Sequence, residues 1–147
     1  MPYALILIAA LHVLTTMFWA GSTFALARTG GIAAERLFAP QLGAAIAAFI
    51  TGGYLGHTLH GHAFGRPEQV LMAAVAAAAI ALTVQAVVVG RALRPLRDAA
   101  QQHAGARARA TTAHRIAAVL LALAAVGMVA ARYLPPSPTG SSAAGVQ

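Results

Sequence analysis

The sequence predicts an all-α integral membrane protein folded as an antiparallel bundle of four transmembrane helices, on three observations. Of its 147 residues, 59% are hydrophobic and only 9% charged, whereas a soluble domain carries roughly 25% charged residues. The apolar residues fall into four runs, about Tyr3–Ala27, Leu37–Leu59, Val70–Gly90 and His114–Tyr133. Each run has about 20 residues or more, enough at roughly 1.5 Å rise per residue to cross a ~30 Å hydrocarbon core. Finally, the arginines gather at the ends of these runs, where a spanning helix meets water. The mean hydropathy of +0.73 agrees.

Run one opens "MPYALILIAALHV" without a Lys or Arg. A secretory signal would need a positive n-region and a shorter apolar stretch, so a retained first helix is expected. In run two, Ala44, Ala48, Gly52 and Gly56 recur every fourth residue. In run three, Ala73, Ala77 and Ala81 do the same. Small residues let helices approach closely in lipid, so both stripes are expected to face neighbouring helices, with Gly52 and Gly56 in contact. Gln85, near the end of run three, is expected to point into the bundle and bond another helix. The threonines of the spans can satisfy themselves on their own helix carbonyls.

The segment 91–113 is expected to extend the third helix briefly and then turn irregular near Gly105. The whole of 1–134 reads as one transmembrane domain. The tail "PPSPTGSSAAGVQ", residues 135–147, has the Pro, Ser, Gly and Ala composition of a disordered extension.

Charge sets orientation. All ten cationic residues are arginines, against three acids. Arg28 and Arg36 lie after the first run. Arg91, Arg94, Arg97, Arg107, Arg109 and Arg115 lie between the third and fourth. Only Arg66 and Arg132 fall at the opposite ends. The positive-inside rule then predicts both termini in the periplasm of a bacterial inner membrane. The arginines sit at helix ends rather than in a basic groove, so the expected partner is the lipid bilayer and not nucleic acid, despite a pI near 11.6. A membrane-protein partner or a second copy of the chain stays open.

Without cysteine, disulfides, thiolate metal sites and thiol catalysis are excluded. The acids Glu35, Glu68 and Asp98 stand in or beside loops, so no carboxylate pair lies in the membrane and hydrolytic chemistry is not expected. Histidines remain. His12 lies roughly 13 Å below its end of the first helix by helical rise, and an ionisable side chain at that depth is a functional-site hypothesis. Its structural alternative is an imidazole bonded to a threonine or to Gln85. In "GGYLGHTLHGHAFGRPEQ", His57 and His60 share a helix face if the second helix persists, and His62 completes the cluster. Imidazoles so close suit copper or zinc; their alternative is a lipid–water interface beside Tyr54 and Phe64. The candidate ligands are thus His12, His57 and His60 for a cofactor, with His62 added for a metal. His103 is read as loop. His114 faces either headgroups or the bundle.

The stretch "LHVLTTMFWAGSTFALAR", residues 11–28, resembles the first-helix signature of the CopD-like copper resistance membrane proteins, with His12, Trp19 and Gly21 in the matching places. The end, "AHRIAAVLLALAAVGMVAARY", looks like that group's last helix. The related four-helix membrane protoporphyrinogen oxidases start similarly, and there a first-helix histidine is associated with haem. The resemblance therefore implies haem b or copper at His12. It covers the first helix well and the last loosely. The copper family is usually larger, and the oxidases carry a functional lysine that this chain lacks, which argues against protoporphyrinogen oxidation.

Three functions stay open. One is haem or copper binding for electron transfer or copper handling. The others are a haem-dependent tetrapyrrole oxidase and a ligand-free structural subunit of a larger complex. Depth separates them in part. His57 should lie about 5 Å deep against roughly 13 Å for His12, so a haem held by both fits poorly.

Overall fold

The structure, a computed structural model, describes residues 2–31, 33–60, 65–93 and 103–135. Among these every regular element is helical. Helix α1 runs Pro2–Arg28, α2 Ala34–His60 and α3 Arg66–Val84; a π-turn, Gln85–Val89, continues α3 into the short α4, Gly90–Leu93, and α5 spans His103–Tyr133. Four of these stretches are long and apolar enough to cross a membrane: Tyr3–Arg28, Ala34–Leu59, Arg66–Val89 and Arg107–Tyr133. They are largely uncovered by protein. Tyr3, Ile6, Leu7, Leu14 and Met17 of α1 are each more than 60% exposed, a surface that fits a lipid environment.

Local chemistry explains the helix ends. Arg28 closes α1, and Gly30 and Gly31 then take left-handed φ values of 67° and 77°. The Gly31 N–H bonds the Leu26 carbonyl at 3.0 Å, which caps the carbonyls that the last turn leaves free. At the start of α3, the Glu68 carboxylate accepts the Gly65 N–H at 2.8 Å, and its charge suits the positive end of the helix. Helix α5 differs from expectation. It begins at His103 and carries Gly105 as a helical residue, because the alanines and arginines around it are strong helix formers that outweigh one glycine. The tail beyond Pro135 and residues 94–102 lie outside the described residues.

Helix α1 packs mainly on α2, and α3 mainly on α5, with α1 also against α5. Directions follow from contacts. His12 meets Ala48 and Thr51, while Ser22 and Thr23 meet Gln41, so α1 and α2 are antiparallel. A Cβ on Gly127 would lie 3.1 Å from that of Ala74, and one on Gly31 would lie 3.5 Å from Thr111 Oγ1. Hence α5 runs opposite to α1 and, through its upper half, against α3. We call the end where α2 finishes the histidine end, and the opposite one the arginine end.

The core is made of alanines. Ala45, Ala74, Ala78, Ala81, Ala117 and Ala124 surround Trp19, which is 2% exposed, and Trp19 packs at 6.0 Å on Phe49. Two expected stripes need correction. On α3 the buried face is Ala74, Ala78 and Ala81 rather than Ala73, Ala77 and Ala81. On α2 it is Gln41, Ala45, Ala48 and Thr51, with Gly52 against His12, whereas a Cβ on Gly56 would meet nothing within 4 Å among the described residues. The cause is geometric: four residues advance about 400°, so a strict every-fourth stripe drifts by about 40° per step. Packing faces avoid the drift by alternating steps of four and three.

Burial is uneven along the bundle. Helix α1 buries nothing between Tyr3 and Phe18, then Trp19, Thr23, Leu26 and Ala27 in succession. On α1 the arginine half is covered and the histidine half is not, while α3 and α5 stay in close contact toward the histidine end, where a Cβ on Gly127 would meet Ala74.

Candidate functional site

Toward the histidine end, His12 is half-buried between α1 and α2. Its Nδ1 lies 3.0 Å from the Ala48 carbonyl oxygen and 3.1 Å from Thr51 Oγ1. A carbonyl can only accept, so Nδ1 carries the proton. The Thr51 hydroxyl donates to the Ala47 carbonyl at 2.7 Å and so presents a lone pair to the same Nδ1–H. The tautomer is thereby fixed: in the neutral ring, Nε2 holds the free lone pair. It has no hydrogen-bond partner among the described residues. Nδ1–H on a backbone carbonyl with Nε2 open is the arrangement of a metal-ligating histidine, where the backbone bond sets ring orientation. Gly52 makes it geometrically feasible, since a Cβ there would stand 2.8 Å from His12 Cε1.

The other expected ligands are not gathered around His12. Helix α2 does persist through His60, so His57 and His60 are three apart on one helix, and His57 is exposed. His12 is level with Thr51, and His57 stands six positions further, an axial offset of about 9 Å. This matches the depth difference read from the sequence. His62 and the side chain of His60 lie outside the described residues. Among the described residues no group of three His, Cys, Asp or Glu side chains could hold a metal ion. The donors described offer a single imidazole nitrogen without a protein partner, not a multi-histidine cage.

A second polar cluster sits in the arginine half, built on the π-turn. There the Gly90 N–H reaches back five residues to the Gln85 carbonyl, and such turns are frequent at functional sites. Gln85 is 4% exposed. Its Oε1 accepts the Trp19 indole N–H at 2.6 Å and its Nε2 donates to Thr23 Oγ1 at 2.7 Å. The Thr23 hydroxyl in turn donates a hydrogen bond to the Trp19 carbonyl at 2.7 Å. Gln41 Nε2 donates to Ser22 Oγ at 2.9 Å and lies 3.4 Å from Thr23 Oγ1. The expectation that Gln85 bonds across helices holds, while its partners were not legible. Trp19 is a donor in this network. A Cβ on Gly21 would meet nothing within 4 Å among the described residues.

His114 is the residue that sequence reasoning underrated. It is 1% exposed, and neither ring nitrogen has a partner among the described residues. The signal available was its helical spacing from Ala110, Ala113, Ala117 and Leu121, all buried. Reading His114 as the first residue of its helix hid that periodicity.

The fold thus defines a class, an all-helical protein with four helices able to span a bilayer. Nothing narrower is identified: no family model, curated protein or solved structure matches the chain.

Proposed function

We propose that this chain is a multi-pass protein of a bacterial inner membrane that holds haem b or copper through His12, for electron transfer or copper handling. The observation that carries the reading is the His12 geometry, with Nδ1–H committed to the Ala48 carbonyl and a lone pair on Nε2 without a protein partner among the described residues. The first-helix resemblance at His12, Trp19 and Gly21 supports it. Haem or copper would supply a one-electron redox centre; the chain supplies the ligand nitrogen and fixes its tautomer. His57, exposed on α2 about 9 Å further toward the histidine end, would be an outer encounter site for an incoming metal, and His60 and His62 follow it in the sequence.

The test is a purified protein offered haem or copper and read by absorption spectrum and metal content. A Soret band, or stoichiometric copper, is expected for the parent and its loss for His12→Ala, with a weaker effect for His57→Ala. A parent that takes up neither ligand removes the reading and leaves the ligand-free structural subunit, which the Thr51 bond to His12 would also suit.

Eight arginines against two motivate the proposed orientation, with both termini periplasmic. A C-terminal alkaline phosphatase fusion is expected to be active and a C-terminal green fluorescent fusion dark. The reverse pattern overturns the orientation without touching the site.

A further inference from the structure

The two ends of the bundle differ in charge. At the arginine end Arg28, Arg36, Arg91, Arg107, Arg109 and Arg115 are all exposed, and Glu35 is the one acid there among the described residues. None of the six has a carboxylate partner among the described residues. Every span contributes: Arg28 closes α1, Arg36 lies in the first turn of α2, Arg91 stands in α4, and α5 supplies three.

Their depths are graded. Gly31 lies against Thr111, which marks the level of the α1–α2 turn on α5. Helix α5 starts at His103 and so projects about 12 Å past that level, carrying Arg107 and Arg109. Arg115 is one turn on the membrane side of Thr111, where a long side chain reaches back to the interface. The Arg28 guanidinium stacks 5.8 Å from the ring centroid of Phe24, itself 57% exposed. A cation resting on a lipid-facing aromatic belongs at the boundary between acyl chains and headgroups.

We propose that this belt is a binding surface for anionic phospholipid headgroups. A guanidinium pairs a phosphate oxygen pair bidentately, and each cation near an anionic membrane surface is worth about 1 kcal/mol. The arginines sit around the rim at graded depth rather than on one projecting face, which suits lipid phosphodiesters arriving from the side and not a soluble polyanion. The attraction is between partly solvated charges, so salt weakens it.

The experiment uses the full chain in nanodiscs of phosphatidylcholine alone or mixed equally with phosphatidylglycerol, read by melting temperature and by the lipids retained in native mass spectrometry. Phosphatidylglycerol is expected to raise the melting temperature and to be enriched about threefold or more among retained lipids, given ~1 kcal/mol per arginine, with both effects shrinking in high salt. The R107Q/R109Q/R115Q variant should lose the enrichment while melting as the parent does in phosphatidylcholine, and R132Q at the other end should keep it. Should the triple variant fail to fold, Arg28→Gln, which removes one cation of the belt together with its stack on Phe24, is expected to give a partial loss. No enrichment in the parent, full enrichment in the folded arginine variants, or equal stabilisation by inorganic phosphate in phosphatidylcholine discs would each overturn the proposal.

Discussion

Gly52→Leu is expected to lower the melting temperature of the detergent-solubilised protein markedly and to abolish any ligand binding at His12. The His12 ring already occupies the space a side chain would need, with Cε1 2.8 Å and Nδ1 3.3 Å from an ideal Cβ. A free side chain would swing away at little expense. This one is held by the Ala48 carbonyl and Thr51, so moving it breaks the bonds that set its tautomer. Overpacking of this kind typically costs about 1–3 kcal/mol. The same change at Gly56, which meets nothing within 4 Å, should leave the melting curve unchanged. A cycle isolates the cause: Gly52→Ala should be far better tolerated in a His12→Ala background, with a coupling of at least about 0.5 kcal/mol. Equal costs in both backgrounds would mean that the glycine matters for some reason other than the imidazole.

The second large effect is expected at Gln85. Truncation to alanine strips the Trp19 indole N–H of its acceptor and Thr23 of a donor, in a core where neither can reach water. Hydrogen bonds between membrane helices average only about 0.6 kcal/mol. A buried group left without a partner costs more, about 1–3 kcal/mol, and the latter term decides here because both partners stay buried. Trp19 is the sole tryptophan, so its emission reports the loss directly alongside the melting curve. One buried neighbour should behave in the opposite sense. His114→Leu removes two unpartnered nitrogens and is expected to stabilise by about 1–2 kcal/mol. A destabilised leucine variant would reveal that the imidazole has a partner in the membrane after all.

These residues also show where the sequence is legible. Hydropathy and length determine the four spans, because the bilayer imposes both. The His12 site was half visible: its depth marked it, and a threonine partner was among the alternatives, but which nitrogen stays free depends on a backbone carbonyl thirty-six positions away. The start of α5 was missed because hydropathy ignores helices that leave the membrane, although the alanine and arginine content of 103–113 favours one. Counting small residues at a spacing of four found Ala48 and Ala81 on the buried faces and Ala44 and Ala77 beside them, but passed over Ala45, Ala74 and Ala78 and assigned Gly56 a contact that it does not make among the described residues. The π-turn has no signature at all in "QAVVV".

That turn has a meaning for how the chain can vary. Five residues fill a loop that an unbroken α-helix closes with four, so the third span carries one residue in reserve. The extra residue sets the phase of the helix around it: Val89 falls under Gln85 and is fully buried, while Val87 and Val88 look outward at 41% and 37% exposure. A residue gained or lost within 74–84 would turn the helix by about 100° and carry the alanine face away from α5. Within Gln85–Val89 the same change can be taken up by tightening or widening a single loop. The span is therefore brittle along its alanine face and tolerant of length at one place, beside the network that its glutamine holds together.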